Sequence, residues 1–229
     1  MKKPAVTANK RKTTPSAPKS RAVLEPVRDA ERTKQAILDA AKVEFAEKGL
    51  AGARVDTIAE QSGANKRMLY YYFGSKEDLY IAVLEDVYGA MRRTESELDV
   101  THLEPMNGLR RLIEFKFDYY LQNPIVIRIL AGENLQDAQF LKRSKRLRNL
   151  HLSVVESLEA VLAAGRAAGI MKAGIDPMQL YISIAGLSYF YFANSATLST
   201  AFDRVLMSAA ELKRRRAHAV DVIVGYVRP

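Results

Sequence analysis

The sequence predicts an all-α protein in two parts, a small N-terminal helical domain followed by a larger helical domain. Apolar residues recur at helical spacing through most of the chain, and no segment alternates as an amphipathic strand would. The eight prolines and twelve glycines fall mostly outside the long apolar segments. With 229 residues, of which 48% are hydrophobic, the chain is long enough for a small domain plus a larger one.

Composition removes several classes of protein. The chain has no cysteine, which excludes a disulfide framework, a cysteine zinc site and thiol catalysis, and which suits a reducing cytosol. The start, MKKPAVTANKRK, lacks the apolar core of a secretory signal, so we expect a cytoplasmic protein. Residues 177–202 carry no charge but include eight polar residues, so we expect a helix buried in protein rather than one in a membrane.

The first 28 residues read as a disordered basic tail. They are rich in Lys, Pro, Ser, Thr and Ala and have no helical or strand periodicity. Residues 1–30 hold eight basic and two acidic residues, which is +6 of the total net charge of +9. Such a tail favours polyanions. A solubilising end with no partner is an equally good interpretation, and both remain open here.

Four helices are predicted for the N-terminal part. The first begins near Ala30 and stops at Gly49, where a glycine can take the left-handed conformation that ends a helix. A short second helix ends at Gly63. Asn65 caps a third, and Ser75 caps a fourth that continues to about residue 98. Five further helices are expected over residues 107–121, 124–131, 137–168, 177–197 and 208–226.

Helices two and three are joined by only four residues, 62–65, one of which is glycine. Two short helices connected in this way form a helix-turn-helix unit, whose second helix lies in the DNA major groove. In this chain the first residues of that helix are Lys66, Arg67 and Met68, which would therefore face base edges. An amphipathic helix with a solvated charged face is the alternative, and residues 31–80 are neutral overall, so the prediction rests on placement rather than on bulk charge.

The remaining side chains of this stretch divide into an inside and an outside. Leu69 and Phe73 are four residues apart and should face the core. Tyr70 and Tyr71 should point outward, where a phenol can contact phosphate, sugar or a thymine methyl group. Lys76, in the first turn of helix four, would hold a phosphate together with the backbone amides there.

The segment FAEKGLAGARVDTIAEQSGANKRMLYYYFGSKEDLY resembles the N-terminal signature of TetR-type transcriptional regulators. The matching residues are Phe45, Gly49, Ile58, Ala59, Gly63, Leu69, Tyr70, Phe73, Ser75, Lys76 and Leu79. Two positions depart from the usual pattern: Arg54 replaces a capping Thr or Ser and could reach a phosphate, and Asn65 ends the turn and can still cap. Arg54, Tyr71-Tyr72 and SKEDLYIAVL are most similar to the RutR-like branch of that family.

The resemblance implies a domain organisation and a set of partners. Residues 29–75 would form the DNA-binding domain and residues 76–229 a helical effector-binding and dimerisation domain. A homodimer, paired through its last two helices, would bind a palindromic double-stranded DNA operator and would be released by a small-molecule effector. Repression is the commoner outcome in the family, and no cofactor or metal is expected.

Candidate effector contacts are polar or aromatic residues on apolar helical faces, although ordinary core packing is the alternative for each one. They are Phe115, Tyr119, Tyr120, Asn134, His151, Tyr181, Tyr189, Phe190 and Asn194. They favour a mostly apolar or aromatic ligand. The last helix places Ala217, Val220, Val224 and Val227 on one face, which we expect at the dimer interface. The basic run 213–216 reads as a solvated helix end. The cluster 142–148 reads as a surface cluster that pairs with acids or lines the mouth of a pocket.

Two other functions are alternatives to an operator-binding regulator. Catalysis is disfavoured because the chain has only three histidines, without a nucleophile-elbow motif or metal-ligand spacing. A sequence-indifferent DNA-binding protein that uses the basic tail is the second alternative. Competition between specific and random DNA separates it from an operator-reading protein.

Overall fold

The structure is a computed structural model, and it describes the backbone of residues 24–229 and their side chains except those of 24–28 and 148–152. Most of the predicted tail, residues 1–23, and the side chain of His151 therefore lie outside the described residues. The first helix begins at Leu24 rather than near Ala30. The predicted disorder was thus wrong for residues 24–28, which extend this helix.

Within residues 24–229 the architecture is all-α, as predicted, and contains no strand. The α-helices are α1 (Leu24–Gly52), α2 (Val55–Ser62), α3 (Lys66–Phe73), α4 (Lys76–Ser96), α5 (Pro105–Gln122), α6 (Pro124–Asn134), α7 (Lys145–Ala167), α8 (Pro177–Ala193), α9 (Ser195–Ala201) and α10 (Ala209–Val227). Short 3-10 turns lie at Val100–His102 and Leu141–Arg143. None of these helices is both long enough and apolar enough to cross a membrane.

Two of the long predicted helices are interrupted. The helix expected from residue 137 begins at Lys145, because Asp137 and Ala138 take positive φ angles of 52° and 55°. The carboxylate of Glu133 then accepts the backbone N–H groups of Phe140 and Leu141 at 3.0 and 2.8 Å, which stabilises the connection as a turn. The helix expected over 177–197 breaks at Asn194, where α9 starts.

The N-terminal helices and the larger helical part share one core. Ile37, Ile58, Leu69 and Leu79 are fully buried, and they belong to the same apolar cluster as residues of α5 and α6. A chain of edge-to-face ring contacts crosses between the parts, from Phe45 to Tyr80 at 5.1 Å and from Tyr80 to Phe140 at 5.2 Å. The predicted boundary at residues 75–76 therefore falls beside a continuous core, and it stays a prediction.

The C-terminal helices pack differently from the sequence expectation. Val220, Val224 and Val227 are buried in a second core with α5, α7 and α8, so they are not available to a partner subunit. Ala217, the fourth residue of the predicted face, is exposed. The outward side of α10 carries Val222 and Tyr226 instead, which are 41% and 51% exposed. The prediction failed because a helix flanked on one side by its own domain buries its most apolar face there first.

The basic run at the start of α10 is only partly solvated. Lys213 and Arg214 are exposed, but Arg215 donates to the Leu187 carbonyl at 2.7 Å. Arg216 is half-buried and makes two hydrogen bonds to Asp118, at 2.9 and 2.8 Å. These two arginines hold α10 against α8 and α5. The expectation of a solvated helix end was therefore wrong for both of them.

Candidate nucleic-acid interface and ligand cleft

The turn between α2 and α3 has the geometry that its residues favour. Gly63 ends α2 with φ 66°, a conformation that is costly for residues with a Cβ. Asn65 lies in extended backbone, and its side-chain oxygen accepts the Met68 N–H at 2.9 Å. The side chain therefore satisfies one of the backbone donors left free at the start of a short helix.

The outer face of α3, defined here by Arg67, Tyr70 and Tyr71, is open to solvent. All three side chains are exposed, Tyr71 by 82%, whereas Leu69 on the opposite side is fully buried. Residues three and four apart share one side of a helix, so these side chains form one surface. Met68 is half-buried at its edge, and Phe73 packs partly buried against the core as expected.

Lys66 and Asn65 lie at the exposed N-terminus of α3, and Lys66 has a neighbour that the sequence reasoning missed. Its ammonium lies 2.9 Å from the Asp56 carboxylate on α2. The hydrogen bond from Lys66 to Asp56 raises the pKa of Lys66, so the ammonium stays charged. Asp56 nonetheless offsets this charge, which leaves Arg67 as the more available cation at this end of α3.

The start of α2 is fixed by an acid that the sequence analysis did not single out. Arg54 has no capping role through its side chain, but its backbone N–H donates to Glu44 Oε1 at 2.9 Å. Glu44 is only 5% exposed and comes from α1, so the carboxylate reaches across the corner between the two helices. The sequence signal for this contact was a single glutamate among the core-facing residues of α1. The Arg54 side chain itself is exposed.

The first turn of α4 is less open than its sequence suggested. Lys76 is partly buried, and its ammonium donates to the Ala51 carbonyl at 3.4 Å. Ser75 accepts the Asp78 N–H at 3.0 Å and donates its hydroxyl proton to the Asp78 carboxylate. Asp78 in turn pairs with Arg143 at 3.0 Å, as expected for the surface cluster 142–148. A phosphate contact from Lys76 stays a prediction.

Comparison with known proteins places both parts of the chain in one family. Residues 37–83 match the family described as bacterial regulatory proteins, tetR family, and residues 105–223 match the one described as tetracyclin repressor-like, C-terminal domain. The chain belongs to the TetR family. The second match alone spans more than half of the sequence, so the assignment covers the larger domain as well as the helix-turn-helix unit.

Individual relatives agree with this assignment. The HTH-type transcriptional repressor NicS of Pseudomonas putida is 40% identical over 171 residues, which are 75% of this chain and 81% of that protein. The HTH-type transcriptional regulator RutR of Escherichia coli is 28% identical over 86% of this chain and 91% of its own length. A crystal structure of SCO4942 from Streptomyces coelicolor superposes with a TM-score of 0.66 at 28% identity, covering 86% of this chain and 99% of that one.

Some of the predicted effector residues do meet in one place. Asn134, Tyr181 and Tyr189, together with Tyr120, line a cleft of about 420 Å³ between α4, α5, α6 and α8, here called the tyrosine cleft. Its other walls are Tyr88, Met91, Leu130, Ile182, Ala185 and Gly186. Among the described residues no charged side chain lines it, and a cleft of this kind matches the size and largely apolar character of small-molecule sites.

The other predicted effector residues lie elsewhere. Phe115 and Tyr119 line a groove of about 280 Å³ beside Asp118 and Arg216, on a different side of α5. Asn194 ends α8 and donates to the Phe190 carbonyl at 2.9 Å. Phe190 is 57% exposed. Their proposed contact with a ligand stays a prediction. Helical spacing alone could not assign these residues to different sides of α5 and α8.

A buried ionic cluster beside the tyrosine cleft was missed entirely. Glu95 is ion-paired with Arg92 and lies 3.0 Å from the Lys116 ammonium, and all three side chains are buried. Arg92 also donates to the Tyr181 hydroxyl at 2.6 Å. The signal in the sequence was Lys116 between Phe115 and Phe117, a cation on a face that otherwise reads as core.

Proposed function

We propose that this protein is a repressor that binds a palindromic DNA operator as a homodimer and leaves it when a small molecule occupies the tyrosine cleft. The outer face of α3 is the observation that carries the proposal. A short helix with a buried Leu69 on one side and an exposed Arg67, Tyr70 and Tyr71 on the other is suited to entering a major groove. Arginine there can pair with both acceptors of a guanine edge.

Dimerisation is supported by the distribution of exposed apolar side chains. Thirteen large hydrophobic residues are exposed in the described part of the chain, and eight of them lie between residues 178 and 226. We call this set the C-terminal apolar face; it comprises Met178, Ile182, Phe190, Phe202, Val205, Met207, Val222 and Tyr226. Exposed apolar side chains concentrated in one part of a chain are more typical of an interface than the same residues scattered singly over a surface. A second copy, related by twofold symmetry, would cover the face and hold two copies of α3 at a fixed separation.

A route for coupling the cleft to DNA runs through the α6–α7 connection. Asn134 and Leu130 of the cleft wall belong to α6, as does Glu133, which holds the amides of Phe140 and Leu141. Phe140 contacts the ring of Tyr80 on α4.

The same connection is fastened to the first half of α4 by polar contacts. Ser144 donates to Glu85 at 2.6 Å, and Arg143 pairs with Asp78 at the start of the helix. A ligand that displaces α6 would therefore move the start of α4, which follows α3 after two residues. Because binding free energies are linked, DNA and ligand must weaken each other to the same degree.

Selection of binding sites from random double-stranded DNA tests the proposal. We expect a palindrome that the dimer prefers over random DNA by at least ~10³ at physiological salt. Deletion of residues 1–23 should weaken specific and random sites about equally and flatten the salt dependence. Recovery of no common sequence would instead favour the sequence-indifferent alternative. Loss of the preference on deletion of the tail would mean that the tail reads the sequence, and it would refute the placement of the readout on α3.

A further inference from the structure

The buried cluster behind the tyrosine cleft has an excess of positive charge. Arg92 and Lys116 are cations and share the single carboxylate of Glu95. Glu133, the other buried acid nearby, accepts two backbone amides and makes no ion pair within the described residues. Buried charges are normally paired, so a cluster with two cations and one acid favours a second anion.

Both cations of the cluster contact Tyr181, which belongs to the cleft wall. The Lys116 ammonium is 5.2 Å from the ring centroid of Tyr181 and 3.9 Å from the sulfur of Met91, two residues of the cleft wall. Arg92 and Glu95 also line a separate cavity of about 130 Å³ toward α7. Among the described residues no acid lines the cleft, and the carboxylate that acts on its wall is Glu133, which adds to burial in raising the pKa of Tyr88.

Tyr181 connects the buried cluster to the cleft as a hydrogen-bond donor. Its oxygen accepts from Arg92, and its own hydroxyl proton has no acceptor within the described residues. Arg92 is also left with an unpartnered Nε. Burial by itself lowers the pKa of Arg92, but Tyr181 and Glu95 outweigh it and raise the pKa, so the guanidinium stays charged. A phenol that accepts from a cation becomes a stronger donor to an anion.

Tyr120 is a second phenol of the cleft. Burial, the largest contribution, raises the pKa of Tyr120 above its usual range, so this phenol stays protonated. The far wall of the cleft is apolar, with Leu130, Ile182 and Ala185. The cleft thus offers hydrogen-bond donors at one end and a hydrocarbon surface at the other.

We propose that the effector is an organic anion, a carboxylate on an apolar body, with its charged end at Tyr181 in front of Arg92 and Lys116. The inference rests on the proposed function, since the tyrosine cleft is the effector site in both. What it adds is the chemical class of the effector. A neutral molecule of the same shape would leave the cationic excess of the cluster unmatched.

Isothermal titration calorimetry with acids and their amides tests the inference on the full chain. The probes are benzoate against benzamide and phenylacetate against phenylacetamide, pairs that differ mainly in charge. We expect each acid to bind at least ~10-fold more tightly than its amide, or about 1.4 kcal/mol. Equal affinity for acid and amide, or a preference for the amide, would overturn the inference. So would the absence of binding of either acid at about 1 mM.

Variants of neighbouring residues on α4 supply the control. Arg92→Met should reduce the acid-to-amide ratio to near unity, whereas Arg93→Met, which removes an exposed cation one residue away, should leave it unchanged. Arg92→Lys keeps the charge and should retain most of the ratio even if Arg92→Met unfolds. A ratio that persists in a folded Arg92→Met variant contradicts the role of the cluster.

Operator release, measured in parallel, separates this inference from the proposed function. If amides bind as well as acids and both release DNA, the anion inference fails and the effector role of the cleft stands. If an acid binds with the expected ratio but leaves the DNA complex unchanged, the anion site stands and the effector role fails.

Discussion

Replacing Arg67 by alanine is the most direct test of the readout proposed for α3. Arg67 is exposed and has no hydrogen bond or ion pair within the described residues, and arginine and alanine have similar helix propensities. The free energy of unfolding should therefore change by less than about 0.5 kcal/mol. A bidentate contact with guanine contributes about 1–3 kcal/mol of discrimination.

The twofold complex contains two copies of this side chain. If the half-sites act independently, the loss is about 2–6 kcal/mol, or roughly 30-fold to 2 × 10⁴-fold in affinity. Fluorescence anisotropy at fixed salt, with the selected operator and a scrambled duplex, measures it. Arg128→Ala on α6, which also removes an exposed arginine, serves as the control.

The two DNA ligands distinguish base readout from simple charge attraction. Arg67→Ala should weaken operator binding far more than scrambled binding and should relax the preference at one position of each half-site. An equal loss on both ligands would place Arg67 on a phosphate. No loss on either would refute the placement of this face of α3 in the groove.

The remaining predictions concern stability, charge and assembly. Leu69→Ala should lower the free energy of unfolding by about 2–5 kcal/mol in urea denaturation, because Leu69 is fully buried. Phe73→Ala should lower it by less than the ~3–5 kcal/mol of a fully buried phenylalanine, because Phe73 is only partly buried. The opposite order would contradict the packing of α3. Asp56→Asn removes the charged partner of Lys66, so operator and random DNA should both bind more tightly. The salt dependence of binding should steepen by up to about one counterion per subunit. An unchanged salt dependence would mean that Lys66 contacts no phosphate. Phe190→Asp in the C-terminal apolar face should convert the dimer to a monomer in sedimentation velocity, and an unchanged dimer would place the interface elsewhere.

The local structure of the DNA-binding unit was predictable because its signals are short-range. Gly63, Asn65 and Ser75 fix the helix ends through backbone conformation and capping, which depend only on residues within a turn. The inside and outside of α3 followed from helical spacing. The Glu44 contact with the Arg54 amide could not be foreseen in the same way, since it spans ten residues and two helices.

The residues that line the tyrosine cleft could be grouped only in part from the sequence. Tyr181, Tyr189 and Asn134 were identified as polar or aromatic residues on apolar faces, and they do line one cleft. Phe115 and Tyr119 met the same criterion and lie on another side of α5. The criterion identifies a residue that is unusual for its helix, but it does not say which neighbouring helix that residue will face.

The sequence by itself determined the helical class, the helix-turn-helix unit and the family, because each depends on spacing and capping along a single stretch of chain. Only the tertiary structure decided that Val220 and Val224 face their own core and that Phe190 and Tyr226 do not. It also decided that Arg92, Glu95 and Lys116 share one buried site. Burial and charge pairing depend on which helices pack together, and that arrangement is set by the whole set of apolar faces rather than by any one of them.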